Sequence, residues 1–311
     1  MQAKLKLGVL VYDWYFKQKA PGGRLKLIVP FAQEIEKMGY HGIWLTEHHE
    51  SGIAWSCPDT LIGPLAQATS KIKVGTAGVQ LLAYNPLKLA TDFKCLSALY
   101  PTRIALGIGS GLVNYNHYGL SKSLPVSKKE ISTLFKQKVR DLQLLLLGKA
   151  IKNGEFRGCI AFPQGKHMPE LWVLGMGGLG FDTAREFGLN YNHGLTTDKS
   201  FPEDKSVIRK IQSFGNSKKD NGQRKCITVG IVCAKTNLKA EQAYERSLKL
   251  SNIKTAPPQL IIVGSPDLCR KKLLEIQNDF KVNEINLRTL KAPQDEILER
   301  FDLISKVCGL K

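Results

Sequence analysis

Along this chain the spacing of apolar residues switches repeatedly between strand-like runs and helical periodicity. Residues 6–12 (KLGVLVY) are an apolar, β-branched run of strand length. Within residues 24–38, Leu27, Ile28, Phe31, Ile35 and Met38 fall on one helical face, and Gly39 ends the helix. The same reading predicts strands at 42–46, 72–81, 103–108, 171–174, 189–194, 225–234 and 284–288. It predicts helices at 58–69, 86–99, 127–147, 181–187, 202–214, 238–250, 266–280 and 294–307. Pro58 with Asp59 marks one helix start, and Ser127 with Glu130 is a capping-box pair at another. Eight strands each followed by a helix is the count of a (β/α)8 barrel, a TIM barrel. An open doubly wound sheet is the competing arrangement. No Pro-rich or Ser-rich linker and no repeat divides the chain, so residues 1–311 are expected to form one domain. Segments 149–168 and 252–264 carry no clear pattern.

Composition narrows the function classes. A hydrophobic fraction of 43% in 311 residues is far above that of a disordered chain. No apolar run reaches the ~18 residues that span a bilayer, and the start of the chain lacks the continuous apolar stretch of a secretion signal. Seven cysteines never occur as a CxxC pair, which fits reduced, mostly buried thiols and a cytoplasmic setting. Cys226 and Cys233 have no third ligand near them in the sequence, and no metal is expected. The net charge of +18 comes from 45 basic against 27 acidic residues, but only eleven of the basic ones are Arg. A dispersed, Lys-dominated excess reads as a solvated surface. Specific nucleic-acid binding is not expected, while an anionic small ligand is compatible with the charge.

In a barrel of this kind the chemistry sits where strands end. After the second strand comes Thr46-Glu47-His48-His49-Glu50, a concentration of groups suited to proton transfer near neutral pH. A salt-bridged loop is the structural alternative. After the fifth comes Gly175-Met176-Gly177-Gly178-Leu179-Gly180, a GxGxxG match running into a helix, where backbone amides can cradle a phosphate. A plain tight turn is close behind. The dinucleotide reading would need an acid such as Asp198 after a clear strand. After the fourth come Gly109-Ser110-Gly111 and then Asn114-Tyr115-Asn116-His117-Tyr118, either a pocket mouth or a surface loop. His41 and His193, beside or inside strands, read as structural.

Taken in order, these motifs resemble the bacterial luciferase-like, flavin-dependent monooxygenase family. The resemblance is carried by LGVL at 7–10, GYHGIWLTEHH at 39–49, PDTLIG at 58–63, ATSKIKVGT at 68–76, NPLK at 85–88, RIALGIG at 103–109, WVLG at 172–175, FGL at 187–189 and VGSP at 263–266. It implies a (β/α)8 barrel that binds flavin mononucleotide (FMN) at the strand C-termini. The reduced flavin would come from a separate flavin reductase, would activate dioxygen, and would act on a small organic substrate. The resemblance makes His48 the active-site acid or base. It sets the backbone of Thr76, Ala77 and Gly78 under the isoalloxazine ring and the phosphate near Ser110, Gly175, Met176, Gly177 and Gly180. Ser110 stands where luciferase has an Arg for the phosphate, and Met176 and Gly177 stand where relatives often have Ser. These departures keep open a deazaflavin-dependent dehydrogenase, or a barrel that binds a ligand or partner without turnover. Relatives also imply a homodimer.

Overall fold

Parallel strands wrapped by helices are buried on both faces, and their sequences are accordingly apolar nearly throughout. β1 (Lys6–Val11) and β2 (Gly42–Leu45) show this, with every residue after Lys6 buried. β3 (Lys73–Thr76), β4 (Val79–Gln80), β5 (Ile104–Gly109), β6 (Glu170–Gly175), β7 (Asn190–Gly194), β8 (Lys225–Cys233), β9 (Ile261–Gly264) and β10 (Glu284–Arg288) follow. The computed structural model describes residues 5–12, 23, 25–49, 55–111, 127–195, 205–215, 222–251 and 260–311. The sheet runs β1-β2-β3-β5-β6-β7-β8, and β10 pairs with both β8 and β1. Eight parallel strands therefore close on themselves. Closure decides between the two topologies: this is a (β/α)8 barrel and not an open sheet.

Nine helices surround it among the described residues: α1 (Ile28–Lys37), α2 (Pro58–Ala68), α3 (Pro86–Leu99), α4 (Lys128–Leu146), α5 (Gly178–Phe187), α6 (Lys205–Ser213), α7 (Asn237–Leu250), α8 (Pro266–Phe280) and α9 (Gln294–Cys308). The capping box of Ser127 and Glu130 forms as read. Phe31 and Ile35 of α1 share one buried cluster with Val9, Ile43, Leu287 and Phe301. That layer between strands and helices is the main core. No helix among the described residues is long and apolar enough to cross a membrane.

The other face of each strand points into the barrel. There Leu10, Trp44, Ala105, Trp172 and Cys226 form a second, separate cluster. Trp44 fills the middle of the barrel and donates from Nε1 to Asn286 Oδ1 at 2.8 Å. Its indole leaves no room for neighbouring side chains: a Cβ at Gly8 or Gly42 would lie 2.6 or 2.5 Å from its ring atoms. Below it, Lys73, Glu170, Arg224 and Glu284 form an ion-paired plug at the N-terminal end of the strands. Cys226 faces this interior, whereas Cys233, an odd number of residues further along β8, joins the outer core. The two thiols thus sit on opposite faces of one strand. All seven cysteines are free, and Cys57 and Cys95 are exposed, so burial of the thiols is less general than composition implies.

Three boundaries differ from the sequence reading. The strand expected at 72–81 breaks at the Ala77–Gly78 peptide, which is cis, and resumes as β4 beside β5. α5 begins at Gly178, because a run of glycines without a Pro can enter a helix. β9 was hidden in the patternless stretch before Gly264. It pairs with the second half of β8, past the residues through which β8 closes the barrel with β10.

Candidate active site

A cavity of about 240 Å³ opens at the C-terminal ends of the strands, where a barrel of this kind places its ligands. Leu10 from β1 and Tyr12 just after it, Thr46 and His48 after β2, Ala77 after β3, Leu174 and Gly175 from β6 and Met176 just after it, Asn192 and Gly194 from β7, Thr228 and Gly230 from β8, and Arg288 from β10 line it. A far smaller space of about 20 Å³ lies deeper in the barrel, walled by Trp44, Trp172, Cys226 and Asn286.

Strand alternation sorts the cluster after β2. His48 faces the cavity, its ring 4.1 Å from that of Tyr12 at a tilt of 48°. Glu47 turns the other way and is buried; its Oε1 meets His49 Nε2 at 3.0 Å, and its Oε2 accepts the Gln80 backbone N–H at 2.9 Å. Trp55 Nε1 donates to the Thr46 carbonyl at 3.0 Å, which fixes the segment from outside. The Tyr84 hydroxyl is pushed far above its ordinary pKa, first by burial and then by Glu47 and Asp59. The salt-bridged-loop reading therefore describes Glu47 and His49, while His48 alone of the three lines the cavity. Glu50 lies outside the described residues.

After β3 the backbone forms a shelf. Thr76 is 2% exposed, and its hydroxyl donates to the Gly107 carbonyl and accepts the Gly107 N–H, so it ties β3 to β5 rather than facing the rim. Ala77 lines both cavities. A Cβ on Gly78 would lie 2.7 Å from the Gly107 carbonyl group, so only glycine fits that close strand approach. Ser110 follows β5 directly.

The Gly175–Gly180 segment enters α5 with Gly177 at the N-cap and no side chain capping the helix. Gly175 and Met176 line the cavity, and a Cβ at Gly177 would meet open space. Gly180 packs against the Leu174 carbonyl, where a Cβ would lie at 3.2 Å. Behind the loop, the Tyr191 hydroxyl donates to the Gly175 carbonyl at 3.3 Å and shares a 2.9 Å contact with His193 Nδ1. Burial, reinforced by Lys210, lowers the His193 pKa to about 4. His193 is thus structural, as its place in a strand implies, and it has a consequence for pH. An unfolded histidine binds a proton near pH 6.5 that the folded one refuses, so stability falls as pH drops from about 6.5 to 4, by about 3 kcal/mol. A His193→Gln protein is expected to melt with a visibly flatter pH dependence across that window; parallel melting curves would refute this.

Sequence reasoning missed Arg288, Tyr12, Asn192 and Thr228. Arg288 and Tyr12 sit at strand ends and were read only as strand. Arg288 lies over the Tyr12 ring, with 5.5 Å from Cζ to centroid. Asn192 Oδ1 accepts from the Thr228 hydroxyl at 2.9 Å. Residues 114–118 and Asp198 lie outside the described residues. Among those described, no three potential metal ligands converge.

A closed parallel barrel with an imidazole, a glycine-rich helix start and a mostly apolar cavity at its C-terminal rim defines the class of barrel enzymes that bind ligands on their βα loops. Residues 16–259 match the family described as luciferase-like monooxygenase, and the chain belongs to that family. It is 29% identical over 297 residues to YceB, an uncharacterised protein of Bacillus subtilis (strain 168), covering 86% of this chain and 89% of that one. It is 29% identical over 188 residues to an N-acetyl-S-alkylcysteine monooxygenase of the same organism, covering 60% and 56%. Among solved structures, apo-MsnO8 superposes with a TM-score of 0.79 at 24% identity, covering 99% of both chains. The oxygenating constituent of a Pseudomonas putida 3,6-diketocamphane monooxygenase, solved in complex with FMN, superposes with a TM-score of 0.75 at 15% identity, covering 97% of both. At these identities the superpositions show the fold alone.

Proposed function

We propose that this chain is a flavin-dependent monooxygenase that uses reduced FMN and dioxygen on a small organic substrate, with the reduced flavin delivered by a separate reductase. The observation that carries it is the rim cavity in a chain of this family, with His48 facing inward and the Ala77–Gly78 shelf beside it. The residues present fit the ring end of FMN: the shelf is small, and the cavity is open and mostly apolar. They fit the phosphate through backbone alone, since the uncapped start of α5 offers N–H groups and the helix dipole. Bound FMN would supply the electrons and the oxygen chemistry. The chain's own part is to hold it on the shelf and at α5, to keep water out with Leu10, Leu174 and Met176, and to move a proton at His48. Self-association into a dimer belongs to the same proposal.

Titrating the purified protein with oxidised and with reduced FMN, followed by flavin fluorescence, is expected to show saturable binding. An absence of saturation would sink the flavin assignment and leave a ligand-binding barrel. Because the phosphate is held by backbone alone, FMN is expected to bind only modestly more tightly than riboflavin, by less than about tenfold. Gly177→Ser places a hydroxyl where a Cβ meets nothing and should tighten FMN by roughly tenfold with riboflavin unchanged. Equal gains for both flavins would show that the phosphate lies elsewhere.

A deazaflavin-dependent dehydrogenase is the second reading. Its support is that F420-dependent enzymes share the fold, with TM-scores of 0.69. Turnover undiminished under strict anaerobiosis would favour it over oxygen chemistry.

A further inference from the structure

The two ends of the barrel interior treat charge in opposite ways. At the N-terminal end, two cations, Lys73 and Arg224, meet two carboxylates, Glu170 and Glu284. At the C-terminal end, among the described residues, Arg288 is the one Lys or Arg in the cavity wall. Its inward direction follows from β10, where Glu284, Asn286 and Arg288 alternate into the barrel and Ile285 and Leu287 face the helices. Among the described residues Arg288 has no carboxylate partner, and its Nε is buried without a hydrogen bond. It lies over the Tyr12 ring and also feels the Tyr244 hydroxyl electrostatically. A half-buried guanidinium that no described carboxylate pairs is a ready partner for an anionic ligand.

We propose that the cavity takes an organic acid and that Arg288 holds its carboxylate. This rests on the rim cavity being the substrate site. The planar fork of a guanidinium matches a carboxylate in two parallel hydrogen bonds. The apolar wall of Leu10, Leu174 and Met176 suits the remainder of such a molecule. Position separates this anion from the flavin phosphate. In the ring of eight strands, β10 lies three strands from β6, which leads into α5, but only two from β2, which leads into His48. Tyr12, just after β1, lies between them and touches both Arg288 and His48. A carboxylate on Arg288 would therefore leave the body of the substrate on the His48 side of the cavity. Arg288 is a specificity-determining residue in this scheme, not a proton carrier.

Hexanoate and hexanamide, equal in shape and different in charge, are the probes, with binding to the full chain measured by calorimetry or ligand-observed NMR. Hexanoate is expected to bind roughly 10–100-fold more tightly than hexanamide. In Arg288→Met that preference should vanish while hexanamide binding stays as it was, and Arg288→Lys should restore part of it. Arg288→Met should also melt at or above the wild-type temperature, since it removes a half-buried charge that no described carboxylate pairs. Equal affinity of the wild type for the two probes would overturn the proposal, as would a strongly destabilised Arg288→Met protein, which would make the residue a framework element. Oxidised FMN and riboflavin are titrated in parallel. If Arg288→Met weakens FMN but not riboflavin, the residue is a phosphate clamp and the proposal fails. If neither protein binds flavin yet the carboxylate preference holds, the flavin reading falls and this one stands.

Discussion

Replacing His48 by alanine is expected to lower turnover by roughly 10²–10⁴-fold, the usual contribution of a positioned acid or base, with flavin affinity nearly unchanged. The prediction follows from the alternation of the segment after β2. His48 lines the cavity against Tyr12, while Glu47 and His49 bond to each other on the far side. Two adjacent histidines, alike in sequence, thus have unlike environments. His49→Ala, which removes only an outer contact to Glu47, should stay within a few-fold of the wild type and serves as the control. The assay couples a flavin reductase to the protein and follows both substrate loss and the reoxidation rate of bound reduced flavin. The pH profile separates proton transfer from a packing role: His48→Ala should lose the limb that the imidazole titrates, whereas a merely loosened cavity would keep the profile and lower its height. A full-rate His48→Ala enzyme would end the assignment.

The alternation between strand-like and helical spacing was legible because each strand is buried on both faces and each helix on one. The barrel count followed, and so did the strand ends where a cavity had to lie. Membership of the family was legible from the blocks in the first hundred residues, above all the run from Gly39 to His49. What stayed hidden depends on closure. Arg288 ends a short strand, EINLR, that reads as plain sheet. Its side chain acquires a direction only once β10 is seated between β1 and β8, because strand period alone does not say which face is inside. The same holds for Glu170 and Arg224, which lie 54 residues apart in the chain and meet only across β6 and β8. Thr76 hid a second feature: its hydroxyl is used by the Gly107 backbone, a partner that sequence cannot name. Arg288 could have been flagged by one signal: an Arg two positions after Asn286 and four after Glu284 repeats the polar period of a barrel interior.

Glu170→Gln is expected to destabilise the protein by about 2–3 kcal/mol at neutral pH, or roughly 3–5 °C in melting temperature for a chain of this length. Glu170 is the hub of the N-terminal plug: it pairs with Lys73 and Arg224, and Arg224 also reaches Glu284 at 3.2 Å and lies over the Trp172 ring at 5.0 Å. The neutral amide keeps the shape and leaves two half-buried cations facing each other. The figure stays below that for a fully buried pair, because the side chains of Glu170 and Arg224 retain 26% and 35% exposure and solvent screens them. Burial alone would raise the Glu170 pKa, but Lys73 and Arg224 overcome it and hold the carboxyl below its ordinary range. The folded protein therefore keeps Glu170 ionised at pH values where the unfolded chain takes up a proton. That contribution is complete above the unfolded pKa of about 4.3 and is lost as pH falls through the lower folded value. The gap between wild type and Glu170→Gln should thus be widest at neutral pH and narrow below about pH 4. A gap constant with pH would mean that packing, not charge, is lost, and no gap at all would mean that the plug contributes nothing. Arg288→Met, at the other end of the same interior, is expected to move stability in the opposite direction or not at all. The pair of measurements separates charge that builds the barrel from charge held open for a ligand: both variants destabilised alike would erase that distinction.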